Sequence, residues 1–155
     1  MDKHCTRRNR EKLILLKMNK ITIKTQVKGD VQQVWNAYTN PQHIINWNFA
    51  TPEWHCPATA NDLRIGGEYF TRMEAKDGSF GFDFKAIYKE LTPEQSFVYV
   101  LEDGREVSVS FIPQVDTTEI VIVFDPENQN PIEIQQAGWK AILDNFKRYA
   151  EGLKP

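Results

Sequence analysis

The sequence predicts an α+β fold in which a curved antiparallel sheet wraps around a long C-terminal helix, in the order β-α-α-β-β-β-β-β-α. Three observations predict it: a strand-like segment is followed by two short helical segments, the middle of the chain reads as strands joined by hairpin turns, and the last segment is a long amphipathic helix. Strands that follow one another through hairpins pair antiparallel and twist. The apolar stripe of the last helix must then be buried against that sheet.

The first strand and two helices are predicted between residues 21 and 47. Apolar side chains alternate with polar ones over 21–27, which is the period of a half-buried strand. Gly29 ends the strand, and Asp30 is a suitable N-cap for the next helix. The apolar stripe of that helix consists of Val31, Val34, Trp35 and Tyr38. Pro41 suits the first turn of a second, shorter helix that reaches Trp47.

A loop and then five strands are predicted in the middle of the chain. Residues 48–62 lack periodicity and contain Pro52 and Pro57, so we expect a loop there. Alternation resumes after Gly66-Gly67, and the dipeptides Asp77-Gly78 and Asp103-Gly104 are typical hairpin turns. The inward faces of these strands are rich in aromatic residues.

The last helix is predicted over residues 132–153, with a stripe of large apolar side chains. This stripe consists of Trp139, Leu143, Phe146, Ala150 and Leu153. Gly138 lies inside the helix, where a glycine costs about 1 kcal/mol relative to alanine. We therefore expect a packing or space requirement at Gly138.

Length and charge indicate one domain with a basic extension. The 155 residues suit a single domain. Residues 1–17 contain six basic and two acidic residues, whereas the rest of the chain is acidic. We expect residues 1–17 to be a disordered basic extension and residues 18–155 to form the domain. An acidic body argues against a nucleic-acid partner, because phosphate contacts need a clustered cationic face.

Composition also excludes several other classes of protein. No apolar run approaches the roughly 18 residues of a membrane helix, so we expect no integral membrane contact. Cys5 and Cys56 are too few for a disulfide scaffold and lack the paired spacing of a zinc site. We therefore expect a reduced, cytoplasmic protein without metal or cofactor.

A curved sheet that holds one helix leaves a hollow on its concave side, and an apolar hollow is the usual form of a small-molecule site. The high content of Phe, Tyr and Trp supports such a cavity. The residues predicted to line it are Trp47, Trp54, Tyr69, Phe82, Phe84, Tyr99, Val109, Phe111, Trp139, Leu143 and Phe146.

Two other sets of residues have chemical potential. His55 and Cys56 could form a base and a nucleophile, but adjacent residues on an extended segment point in opposite directions. We predict no catalytic residue there. Arg64, Arg72 and Arg105 could each orient a ligand carboxylate, although surface positions are the expectation for all three.

Several segments together resemble the activator of heat-shock protein 90 ATPase homologue family, within the START-like or helix-grip (SRPBCC) superfamily. The resemblance covers about residues 19–153. It is carried by Val34-Trp35, 41–47, 62–67, 86–93, 103–105 and 138–143. Ala86 departs from the pattern, since relatives often have glycine there.

The resemblance implies the helix-grip fold and a cavity that holds a ligand. It implies little about reaction or ligand, because one fold hosts many functions. From the apolar cavity and the lack of a convincing acid–base pair, we predict a non-enzymatic, monomeric protein that binds a hydrophobic small molecule such as a lipid, a polyketide or a flavonoid-like compound. Two alternatives remain open: an enzyme of the cyclase or hydrolase kind, and a stress protein associated with a chaperone ATPase. We expect no stable chaperone complex, because the chain lacks room for a second domain of the kind found in full-length activators.

Overall fold

The computed structural model describes residues 20–153, so the predicted extension 1–17 lies outside the described residues. The elements follow one another as β1 (Ile21–Lys28), α1 (Val31–Thr39), α2 (Pro41–Ile44), β2 (Trp54–Asn61), β3 (Glu68–Ala75), β4 (Gly81–Thr92), β5 (Ser96–Leu101), β6 (Glu106–Pro113), β7 (Thr117–Phe124) and α3 (Ile132–Glu151). The predicted α+β, helix-grip class is confirmed.

All seven strands belong to one antiparallel sheet with the order β1-β7-β6-β5-β4-β3-β2. Neighbouring strands are consecutive in the chain except for β1, which pairs with β7 in a register that places Ile23 opposite Ile122. Buried and exposed side chains alternate along β3, β6 and β7. One face of the sheet is therefore covered and the other faces solvent, as expected for an antiparallel sheet of this kind.

The prediction of a loop over residues 48–62 is wrong for its second half, because Trp54–Asn61 form strand β2. Among the strands that the structure describes, it lies at the edge of the sheet and pairs only with β3. Its register shifts between His55 and Ala58. Pro57 lies at that shift, and a proline, which cannot donate a ladder hydrogen bond, is tolerated at edges and bulges. The bulge interrupts the alternation that would otherwise have indicated a strand.

The predicted start of each short helix is confirmed. The Asp30 carboxylate accepts a hydrogen bond from the backbone N–H of Gln33 at 2.8 Å, which caps α1. Asn40 caps α2 in the same way, and Pro41 occupies the first turn of that helix. Helix α2 ends at Ile44, so residues 45–47 form a turn rather than the last part of the helix.

Helix α3 lies along β1 and is attached to it by polar contacts. The Gln136 side-chain amide donates to the carbonyl of Thr22 at 3.3 Å, and the Lys147 ammonium donates to the carbonyl of Gln26. Leu143 and Phe146 are buried, whereas the first turns of the helix are largely exposed. The helix therefore packs mainly on the β1 side of the sheet and does not fill the space over β3, β4 and β5.

The expected packing requirement at Gly138 is wrong. Apart from its chain neighbours and the backbone of its own helix, a Cβ atom placed on this glycine would meet no atom of residues 20–153 within 4 Å. The residue lies on a part of α3 that faces open space, so neither close packing nor a special backbone conformation requires glycine there.

We expect the substitution Gly138→Ala to raise the free energy of unfolding by about 0.5–1 kcal/mol, because alanine loses less backbone entropy in a helix than glycine does. Urea denaturation followed by circular dichroism measures this change. The matched control is Gly67→Ala, whose Cβ would lie 2.0 Å from the Asp62 carbonyl oxygen and should destabilise the protein. A loss of stability in Gly138→Ala would contradict the open environment described here.

Candidate functional site

A cavity of about 240 Å³ lies between the concave face of the sheet and α3. It is lined by Tyr38, Trp47, Asn48, Tyr69, Thr71, Met73, Phe82, Phe84, Tyr99, Leu101, Arg105, Ile122, Trp139, Ile142 and Leu143. Phe82 is the most exposed of them, at 40%, and marks the opening. The Arg105 side chain is 30% exposed, and Tyr38, Phe84, Trp139 and Ile142 are also half-buried. The cavity is therefore apolar over most of its wall and open at one end.

The cavity exists because α3 bridges the hollow instead of filling it. Trp139 stacks on Phe124 of β7 with ring centroids 4.1 Å apart. It also makes an edge-to-face contact with Phe84 of β4, with ring centroids 6.2 Å apart. Opposite it, Tyr69 and Tyr99 lie side by side on the sheet, 5.3 Å apart. Aromatic rings thus form both the roof and the floor.

Seven of the eleven residues predicted from sequence line this cavity. They are Trp47, Tyr69, Phe82, Phe84, Tyr99, Trp139 and Leu143. Whether any of them contacts a ligand remains a prediction, since geometry places them without testing binding.

The other four predicted residues lie outside the lining. Trp54 is on the edge strand and packs near Phe82, 6.1 Å away. Val109 is buried within the sheet, and Phe111 packs edge-to-face against Trp35 of α1, 5.0 Å away. Phe146 belongs to an aromatic cluster with Tyr38 and Trp47, with centroids 5.0 and 4.9 Å away.

Helix α1 explains why the hollow is filled at one end. Its side chains Trp35 and Tyr38 occupy the concave face over β5 and β6, where Phe97 and Phe111 would otherwise line open space. Period-2 alternation identifies the inward face of a strand, but it does not reveal which part of that face another element covers.

Eight lining residues were not predicted: Tyr38, Asn48, Thr71, Met73, Leu101, Arg105, Ile122 and Ile142. A signal existed for several of them, since Thr71 and Met73 alternate in phase with Tyr69 on β3, Leu101 alternates in phase with Tyr99 on β5, and Tyr38 lies on the apolar stripe of α1. Asn48 had no such signal, because it lies in the irregular segment after α2. Its place in the cavity wall depends on the path that this segment takes.

The polar groups of the cavity wall are mainly neutral. The Asn48 amide donates to the Tyr69 hydroxyl at 3.4 Å. Burial raises the pKa of Tyr38, Tyr69 and Tyr99 far above the ordinary value for tyrosine, so these phenols stay protonated at neutral pH. Thr71 is fully buried, and within residues 20–153 its hydroxyl oxygen has no hydrogen-bond partner.

Of the three arginines considered from sequence, only Arg105 reaches the cavity. Its Nε donates to an Asp103 carboxylate oxygen at 2.7 Å. Arg64 pairs with Asp62, and Arg72 pairs with Glu74 and Asp83 on the sheet surface. Arg64 and Arg72 are therefore surface residues, as expected.

His55 and Cys56 do not form a nucleophile–base pair, and neither lines the cavity. The Cys56 thiol donates to the carbonyl of Ala58 at 3.5 Å, and burial raises its pKa to about 11. The His55 ring nitrogen Nε2 lies 3.7 Å from a Glu74 carboxylate oxygen instead. This thiol is therefore protonated at neutral pH, unlike a catalytic cysteine.

Two further properties concern the described part of the chain. Residues 20–153 contain no group of three His, Cys, Asp or Glu side chains placed to hold a metal ion. None of the helices described between these residues is both long and apolar enough to cross a membrane.

Comparison with known proteins gives matches over nearly the same region. Residues 28–151 match the model of the family described as Activator of Hsp90 ATPase homolog 1-like protein. The AHSA1-like protein from Aeromonas hydrophila, solved by NMR, is 40% identical, with a TM-score of 0.81 over 85% of this chain and 92% of that chain. Chr148 from Cytophaga hutchinsonii is 47% identical, with a TM-score of 0.76 over 86% of this chain and 92% of that chain.

A more distant structure shows the fold alone. Protein CV1439 from Chromobacterium violaceum is 20% identical and has a TM-score of 0.78 over 87% of this chain and 99% of that chain. No curated protein matches the chain significantly.

We expect Cys56 in the folded protein to react with iodoacetamide roughly a hundredfold more slowly at pH 8 than in the urea-unfolded chain, since each unit of pKa changes the thiolate fraction tenfold. The variant Cys5→Ser leaves Cys56 as the only thiol, and mass spectrometry follows its alkylation. Equal rates in the folded and unfolded states would contradict the buried, protonated thiol.

The same raised pKa has a consequence for stability. The contribution of the protonated thiol to folding is fully present below the ordinary thiol pKa of about 9 and is lost as the pH rises toward 11. Replacing Cys56 with alanine should therefore flatten the loss of stability in this alkaline range.

Proposed function

Because the chain belongs to the family of Activator of Hsp90 ATPase homolog 1-like proteins, we propose that it is a non-enzymatic protein that binds a hydrophobic small molecule between the sheet and α3. The observation that carries the proposal is the open, mainly aromatic cavity of about 240 Å³. The class of ligand is a lipid, polyketide or flavonoid-like molecule, or a fragment of one that fits this volume.

The volume favours a compact ligand. An engineered apolar cavity of about 150 Å³ binds benzene, whereas pockets for drug-sized ligands have volumes of roughly 300–1,000 Å³. A cavity of about 240 Å³ therefore suits one ring with a short substituent. A larger ligand would place its remaining part outside the opening, beside Phe82 and Arg105.

Apolar burial alone supports moderate affinity. A one-ring molecule buries on the order of 150–250 Å², as an aromatic side chain does. At about 25 cal/mol per Å² this contributes about 4–6 kcal/mol. That range corresponds to dissociation constants between about 1 mM and tens of micromolar. Tighter binding would need polar contacts or burial of more surface at the opening.

The ionisable groups of the lining favour binding over catalysis. They are three tyrosines, whose pKa is raised by burial, and Arg105, whose charge is paired with Asp103. None of these groups accepts a proton readily near neutral pH, and a cyclase or hydrolase would need a base positioned in the cavity.

The partners and location of the protein are part of the same proposal. We propose a cytoplasmic monomer that forms no stable complex with the Hsp90 chaperone named in the family description. The buried, protonated Cys56 is compatible with a reducing compartment. Co-purification with that chaperone in a pull-down would contradict this part of the proposal.

We expect sec-butylbenzene, a neutral apolar probe, to bind with a dissociation constant in the range given above. In ¹H–¹⁵N NMR titrations it should shift the amide signals of residues that line the cavity. Ile142→Trp should weaken binding at least tenfold, because the larger side chain fills part of the cavity. Met73→Phe, which adds less volume, provides a second cavity-filling variant if Ile142→Trp does not fold.

The matched control for this experiment is Ile134→Trp. It introduces the same change on the same helix at a position that is 61% exposed and outside the lining. Its affinity should equal that of the wild type. The proposal fails if the probe produces no shifts, or if the lining and control variants bind equally well.

A further inference from the structure

Two tyrosine hydroxyls of the cavity wall are left without a hydrogen-bond partner among residues 20–153. Tyr38 of α1 and Tyr99 of β5 both line the cavity. Burial and neighbouring tyrosines raise the pKa of each, and no hydrogen bond from the described part of the chain contributes to either value. A tyrosine hydroxyl can donate one hydrogen bond and accept others, so each of these phenols keeps both capacities unused.

Both hydroxyls are accessible. Among the side-chain nitrogen and oxygen atoms of the described residues that have essentially no accessible surface, Thr71 Oγ1 is the one without a hydrogen-bond partner. The unpaired oxygens of Tyr38 and Tyr99 therefore each retain some accessible surface. Tyr99 is only 5% exposed as a whole, and the space that it lines is the cavity. A ligand inside the cavity can therefore reach the Tyr99 hydroxyl.

The Tyr38 hydroxyl lies on the same side of the cavity as two other phenols. It is close enough to Tyr69 and Tyr99 to raise the pKa of both by electrostatic repulsion. The rings of Tyr69 and Tyr99 have centroids 5.3 Å apart. The Tyr69 hydroxyl accepts a hydrogen bond from the Asn48 amide at 3.4 Å and can still donate its own proton. The apolar wall thus contains one polar region, which is formed by phenol hydroxyls.

This region indicates which polar group of a ligand is compatible with the cavity. A carboxylate would lose its hydration without gaining a free cation, because the charged lining residue Arg105 is hydrogen-bonded to Asp103. A hydrocarbon would leave both unpaired phenols as they are. A ligand hydroxyl is neutral and can accept from one phenol while it donates to another, so it uses both of their capacities.

We infer that the cavity selects neutral aromatic ligands that carry a hydroxyl group, such as small alkylphenols, and that the Tyr38 and Tyr99 hydroxyls bind this group. This inference rests on the proposed function and adds the polar group of the ligand. The apolar part of such a molecule contacts other lining side chains, among them Phe84, Trp139 and Leu143.

Two probes of nearly equal shape test this selectivity. They are 4-propylphenol and 4-propyltoluene, in which a methyl group replaces the hydroxyl. NMR titration of the full chain gives both dissociation constants. We expect 4-propylphenol to bind about five- to tenfold more tightly, which is the usual effect of one buried hydrogen bond.

The variants Tyr38→Phe and Tyr99→Phe each keep the ring and remove the hydroxyl. Each should weaken binding of 4-propylphenol severalfold and leave binding of 4-propyltoluene unchanged, and the double variant should bind the two probes equally. The melting temperature of the ligand-free protein should stay the same or rise in each variant, because the lost hydroxyl forms no hydrogen bond with the described residues. A merely structural tyrosine would instead alter both affinities equally.

Tyr88→Phe is the matched control. The Tyr88 hydroxyl donates to Asn61 Oδ1 at 2.7 Å, and the residue is buried outside the lining. This variant should lower the melting temperature and keep the preference for the phenol. The inference is overturned if wild type binds both probes equally, or if the double variant keeps the preference. If neither probe binds to the wild type, the proposed function itself fails, so the two failures are distinguishable.

Discussion

The attachment of α3 to β1 is the constraint on which the rest of the structure depends. Two side chains of the helix, Gln136 and Lys147, donate hydrogen bonds to backbone carbonyls of β1. Two others, Leu143 and Phe146, are buried. A helix held at one side of a seven-stranded curved sheet cannot also fill the space over the strands at the other side. The hollow over β3, β4 and β5 is a consequence of this off-centre position.

Aromatic packing determines how much of that hollow remains open. At the α1 end, aromatic rings pack against one another as in an ordinary core. Trp35 contacts Phe111 of the sheet, and Phe146 contacts both Tyr38 and Trp47, which lies in the turn after α2. At the other end, Trp139 of α3 stacks on Phe124 of β7, and the space beside this pair stays open. Since protein interiors are usually packed without large voids, a cavity of about 240 Å³ beside so dense a cluster supports the proposed use of the space as a ligand site.

The polar atoms of the cavity are consistent with this use. The Tyr69 hydroxyl is tied to Asn48, and the charge of Arg105 is tied to Asp103. Thr71 differs, since its buried hydroxyl has no hydrogen-bond partner among the described residues. A wall that is apolar and mainly neutral supports the proposed hydrophobic ligand.

Local patterns in the sequence were sufficient to predict the fold class and the inward face of each regular strand. They also predicted the helix caps at Asp30 and Asn40-Pro41 and the hairpin turns, because these features depend on neighbouring residues. They failed at β2, where a proline and a bulge interrupt the alternation, and at Gly138, whose open surroundings depend on where α3 lies. Seven of the predicted lining residues were found because cavity walls and core share one apolar pattern. Only the tertiary structure decided that α1 fills the space beside Phe111 and that Thr71 has no hydrogen-bond partner among the described residues, since both facts depend on how distant segments pack against one face of the sheet.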